Sequence, residues 1–106
     1  MAIDVRSRLA ISDEALAEFC RKWKIERLEI FGSALRDDFS DESDIDLLYV
    51  TEKEAGWSLL GHVRAEEELR QLLGRHVDLV SKRAIEASRN WIRRRNILGS
   101  SRVVYG

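Results

Sequence analysis

The sequence predicts one layered α/β domain, and three observations carry that expectation. The chain has 106 residues, enough for a single core, because a chain of this size buries only about two-thirds of the surface its unfolded form exposes. Stretches with apolar residues at helical spacing alternate with stretches of period two, in the order α-β-α-β-α-β-α. Proline is absent and glycines fall near the junctions, which suits helices and strands joined by short turns.

Met1 to Ile11 has no clear period and is expected to be partly disordered, which sets the domain proper at residues 12–106. Ser12 reads as a helix N-cap, with Asp13 and Glu14 in the first turn, where acidic side chains meet unsatisfied N–H groups. Leu16, Phe19, Cys20 and Trp23 then form one helical stripe, which makes Cys20 a core residue. Arg27 to Phe31 is a short β-type run ending at Gly32-Ser33, and a brief helical segment from Ala34 to about Asp37 follows. Asp38 to Ser43 reads as a loop and Asp44 to Thr51 as a strand. Its period puts Asp44, Asp46 and Leu48 on one face and Ile45, Leu47 and Tyr49 on the other.

Trp57 to Leu73 is expected as a helix with Leu59, Val63, Leu69 and Leu73 roughly on one side, although Glu66 intrudes on that stripe. Gly74 fits a C-terminal stop. His76 to Ser81 is a strand with Val77, Leu79 and Val80 expected in the core and Asp78 on the face opposite Val77 and Leu79. A helix from about Arg83 to Ile97, ended by Gly99, and a last strand or extended tail from Arg102 to Tyr105 complete the pattern.

Composition narrows the function classes. Hydrophobic residues at 44% and charged residues at 35% describe a globular chain with a charged surface. No apolar run approaches the ~18 residues of a membrane span, and the charged first twenty residues lack an apolar signal core. A cytoplasmic protein without membrane contact is therefore expected. A single cysteine excludes an internal disulfide and any multi-cysteine zinc site, and His62 and His76 are read as ordinary surface or boundary residues. The formal net charge is −1, but residues 1–54 hold 8 basic against 14 acidic residues and residues 55–106 hold 10 against 5. That division predicts a field across the molecule, while the near-neutral balance gives no expectation of direct nucleic-acid binding.

Three features bear chemistry. A strand gives way at Gly32-Ser33 to a helical turn, where backbone N–H groups can meet a phosphate and glycine allows close approach. Taken alone, such a pair after a strand is usually just a turn. Asp44-Ile45-Asp46 sits in a strand, although aspartate is depleted in strands and like charges at i, i+2 repel. Asp78 lies on a later strand and offers a third carboxylate. Solvated aspartates at a strand start are the plain alternative. Taken together, the three features favour a site for a hard divalent cation such as Mg²⁺. A calcium loop across Asp37 to Asp46 fails, because the ligand spacing and the sixth-position glycine are missing.

Gly32-Ser33, ten residues, then Asp44-Ile45-Asp46 resembles the signature of the nucleotidyltransferase superfamily that includes polymerase-β-like enzymes. The string FGSALRDDFSDESDIDLLYV and the short length look like the MNT type, the minimal nucleotidyltransferases that are antitoxin partners of HEPN-domain toxins. The similarity runs from about Leu16 to Tyr105, and one departure is Asp37 after Arg36, where family members often have glycine. The resemblance implies a small nucleotidyltransferase fold, a mixed β-sheet flanked by helices. It implies Asp44, Asp46 and Asp78 as catalytic Mg²⁺ ligands, with Gly32 and Ser33 binding the triphosphate of ATP. Arg36 is a candidate phosphate contact, with a surface ion pair to Asp37, Asp38 or Asp41 as the alternative. The implied activity is transfer of AMP to a hydroxyl, that of a tyrosine, on a cognate HEPN ribonuclease toxin. Two alternatives stand beside it: masking of the toxin with little catalysis, and nucleotidyl transfer to a small molecule of the aminoglycoside type. Lys82, Arg83, Arg89, Arg93, Arg94 and Arg95 read as a solvated basic face or a contact surface for an acidic partner.

Overall fold

The structure, a computed structural model, describes residues 5–40, 42–53 and 55–106. Its helices are α1 (Asp13–Lys22), α2 (Leu59–Leu73), α3 (Lys82–Glu86) and α4 (Trp91–Ser100), and its strands are β1 (Ile25–Phe31), β2 (Ile45–Thr51), β3 (Val77–Ser81) and β4 (Arg102–Tyr105). The strands form one mixed sheet in the order β3-β2-β1-β4. β1 pairs antiparallel with both β2 and β4, whereas β2 and β3 run parallel. Parallel neighbours need a crossover, and α2 supplies it.

The element starts and stops are local chemistry. Ser12 caps α1 by accepting from the Ala15 N–H at 3.1 Å. Ser58 does the same for α2 through the Gly61 N–H, so that helix begins two residues later than its apolar pattern suggests. Gly74 ends α2 in the left-handed conformation, φ +68°. Leu16, Phe19 and Cys20 of α1 and Ala65, Leu69 and Leu73 of α2 pack with Leu28, Ile30, Ile45, Leu47, Val77 and Leu79 into the main core. Leu48 and Ile85 of α3 are buried apart from that cluster. Glu29, the partner of Leu48 across the sheet, is buried too and is held by Lys82, Ser101 and Arg27.

The structure corrects further expectations. The single helix over residues 83–97 is broken into α3 and α4. Asn90 accepts from the Arg93 N–H at 3.1 Å and starts α4, while the Asn90 N–H turns back to the Ser88 hydroxyl. Such short polar side chains compete with the helical backbone. Gly99 lies inside α4, which runs on to Ser100. The opening segment, expected to be partly disordered, forms a 3-10 turn over Val5–Leu9 and sinks Leu9 into the core. The same expectation for residues 1–4 falls outside the described residues. Arg8 in that turn donates to the carbonyls of Ala34 and Arg36 at 2.6 Å each. Among the described residues, no helix is long and apolar enough to cross a membrane.

Candidate active site

β1 ends at Phe31, and the chain enters a 3-10 turn, Gly32–Leu35. Gly32 has φ +71°, and a Cβ there would stand 2.5 Å from Oδ2 of Asp46. The backbone conformation therefore favours glycine, and any side chain there would also have to displace the neighbouring carboxylate. The Ser33 hydroxyl donates to the Asp44 carbonyl at 3.0 Å, and its backbone N–H donates to the Asp46 carboxylate. These contacts bind the Gly-Ser turn to both ends of Asp44-Ile45-Asp46.

The parallel register sets Asp46 directly beside Asp78. Their carboxyl groups are within hydrogen-bonding reach. Burial, followed by the charges of Asp78 and Asp44, holds the Asp46 carboxyl above its ordinary range. Ligand atoms of Asp44, His76 and Asp78 lie within 4.8 Å of one another. The structure thus brings Asp44 and Asp78 together with His76, and sets Asp46 beside Asp78 and against the Gly32-Ser33 turn. Asp44 and Asp78 keep about half of their side-chain surface open, at 55% and 47%. Crowded carboxylates with solvent access suit a hard divalent cation, because only a positive charge relieves the repulsion without protonation.

Arg36 follows the Gly32–Leu35 turn directly, and its backbone N–H donates to the Ser33 carbonyl at 3.1 Å. Its guanidinium pairs with the Asp38 carboxylate through two contacts, 3.1 and 3.2 Å, and both side chains are exposed. Of the basic residues on the later helices, Lys82 is spent on buried Glu29, whereas α4 buries none of its residues. Trp57 is a packing residue whose indole N–H donates to the Trp23 carbonyl, and His62 bonds the Tyr49 hydroxyl at 3.0 Å.

Sequence reasoning passed over His76. Its Nδ1 lies 3.4 Å from Oδ1 of Asp44 and its Nε2 4.0 Å from Oδ1 of Asp78. The i, i+2 spacing from Asp78 was the available signal, since it sets both residues on one side of the chain. Arg70 was also overlooked. From α2 it reaches the Val77 carbonyl at 3.0 Å, His76 Nε2 at 3.2 Å and Glu66 at 3.1 Å. Glu66, the acid that spoiled the apolar stripe, accepts the Leu79 N–H at 2.9 Å.

The nucleotidyltransferase domain family matches residues 12–104 of this chain. Protein adenylyltransferase MntA of Thermococcus cleftensis is 34% identical over 70 residues, which is 66% of this chain and 69% of that protein. A solved structure assigned as a minimal nucleotidyltransferase superposes with a TM-score of 0.65 at 32% identity, covering 94% of this chain and 95% of the other. A toxin–antitoxin crystal structure with AMP-PNP has a TM-score of 0.69 at 19% identity, covering 91% of this chain and 74% of its own, a likeness of fold.

Proposed function

The chain belongs to the nucleotidyltransferase domain family, and from that premise we propose that it is a Mg²⁺-dependent protein adenylyltransferase acting as an antitoxin. It transfers AMP from ATP to a hydroxyl, that of a tyrosine, on a HEPN-domain toxin and so neutralises it. The observation that carries this reading is the gathering of Asp44, Asp46 and Asp78 against the Gly32-Ser33 turn.

Asp44, Asp46 and Asp78 are the residues that would hold the cation. When bound, a divalent cation supplies positive charge to the attacking and leaving oxygens of an in-line displacement. Gly32 and Ser33 bind the triphosphate. Asp78 orients the acceptor hydroxyl and takes its proton. The new bond forms between that oxygen and the α-phosphorus, and the bond to pyrophosphate breaks. Most of this work is positioning and electrostatics, which fits a small rigid sheet. The half-open acids favour an acceptor presented by a partner protein over one enclosed by this domain.

The test is intact-mass measurement of a co-expressed HEPN-domain partner after incubation with ATP and Mg²⁺. A gain of one or more adenylyl groups is expected, and it disappears with Asp44→Asn and Asp46→Asn. A neutralised partner of unchanged mass would replace this reading with masking. AMP transfer to an aminoglycoside in place of the protein would replace it with small-molecule modification.

A further inference from the structure

A guanidinium carries only donors. Arg70 faces Nε2 of His76 at 3.2 Å, a contact that is a hydrogen bond only in the tautomer with its proton on Nδ1. Nδ1 in turn faces Oδ1 of Asp44 at 3.4 Å. The ring thus turns Nδ1 toward one of the acids, an electrostatic contact longer than a good hydrogen bond, and its Nε2 faces Arg70. Arg70 is itself fixed from two sides, by the Val77 carbonyl at 3.0 Å and by Glu66 at 3.1 Å. Glu66 is anchored by the Leu79 N–H at 2.9 Å. A continuous series of contacts leads from the middle of β3 through α2 to the residue that precedes β2.

We propose that His76, oriented by Arg70, is a positioning residue that aims the Asp44 carboxylate into the acid cluster and thereby raises its affinity for a divalent cation. This rests on the metal-binding reading above, but its first consequence needs no metal. Partners of this kind commonly change metal affinity by about 10–100-fold when removed. His76 is a poor direct ligand in this geometry, because Nε2 faces Arg70 and, in the tautomer that bonds Arg70, Nδ1 bears the proton. The neighbouring carboxylates are the harder and better donors for Mg²⁺.

The test has two arms on the whole chain. Nitrogen-15 NMR of the metal-free protein at mildly alkaline pH reads the ring tautomer of His76. The expected result is the Nδ1–H form, with Arg70→Met shifting the ring toward the Nε2–H form while the amide spectrum stays folded. A wild-type ring in the Nε2–H form overturns the proposal. The second arm measures Mn²⁺ binding by calorimetry. His76→Asn retains a donor near the Nδ1 position and is expected to bind within about 3-fold of wild type, whereas His76→Gln loses about 10-fold. Equal affinity in wild type and both variants overturns the positioning role. Equal losses in both, with wild type preferring Zn²⁺ or Ni²⁺ to Mn²⁺ by more than their general order of affinity, overturns it in favour of direct ligation. The Nδ1–H tautomer together with no saturable Mn²⁺ binding by wild type discards the cation reading itself, and with it the positioning role of His76. The wrong tautomer in a protein that binds Mn²⁺ discards only the positioning role and leaves the cation site standing.

Discussion

Gly32 and Asp46 are packed so closely that a methyl group on the one would stand 2.5 Å from the carboxylate oxygen of the other. Gly32→Ala must therefore move Asp46, and it also forces a side chain into φ +71°. The backbone term costs about 1 kcal/mol. The expected outcome is a folded protein with a Tm lowered by a few degrees and with cation binding and AMP transfer reduced at least ~10-fold. Thermal melts and calorimetry check the two effects separately.

Asp46 carries the opposite sign of effect on folding. Burial and the charges of Asp78 and Asp44 raise its pKa, so its contribution to stability is complete below the ordinary carboxylate range. It is lost as pH rises through the raised value. Asp46→Asn is expected to stabilise the metal-free protein at pH 7, by less than ~1 kcal/mol given its solvent access, while removing the stabilisation that added Mg²⁺ gives wild type. Paired melts with Mg²⁺ and with a chelator measure both. A variant less stable than wild type under chelation would contradict the repulsion argument.

Glu29 reverses that logic. Burial raises its pKa, but hydrogen bonds from Lys82 and Ser101 and the charges of Lys82 and Arg27 outweigh it and leave the carboxyl below its ordinary range. Its contribution is present above the ordinary carboxylate range, near pH ~4.3, and is lost as pH falls through the lowered value. Glu29→Gln leaves Lys82 half-enclosed without its counter-charge, and the expected loss at pH 7 is about 2–3 kcal/mol. Urea unfolding across pH 3 to 7 should show the gap between the two proteins closing toward the acid end.

Cys20 is expected to be inert. Burial pushes its thiol up to about 12, and the thiolate is the reactive form. An aromatic disulfide reagent at pH 8 should label it only as fast as the protein unfolds, and adding denaturant should bring labelling to completion. Rapid labelling of the native protein would place Cys20 on the surface, against its complete burial in α1.

Much of the site was legible because its signals are local. Gly32-Ser33 and Asp44-Ile45-Asp46 are short patterns on a strand end and a strand start, where residue type and backbone geometry constrain each other. Asp78 could be named as a third acid, but its place beside Asp46 depends on the parallel register of β2 and β3, which no local pattern encodes. Arg70 was illegible for the same reason, and His76 offered only its i, i+2 spacing from Asp78, since their contact with each other spans the Gly74 turn. Glu66 looked like an error in a helical stripe and turned out to serve a backbone N–H of β3. The long basic helix failed on two polar side chains, Ser88 and Asn90, whose pull on the backbone outweighed the periodicity around them.

Both flanks of the polypeptide bear on the Gly-Ser turn. Arg8 grips the carbonyls of Ala34 and Arg36 just beyond that turn, and β4 zips onto the strand that delivers it. Trimming either flank to obtain a smaller fragment would slacken the bend itself, so truncations made for convenience in expression would mimic point mutations at Gly32 and Ser33.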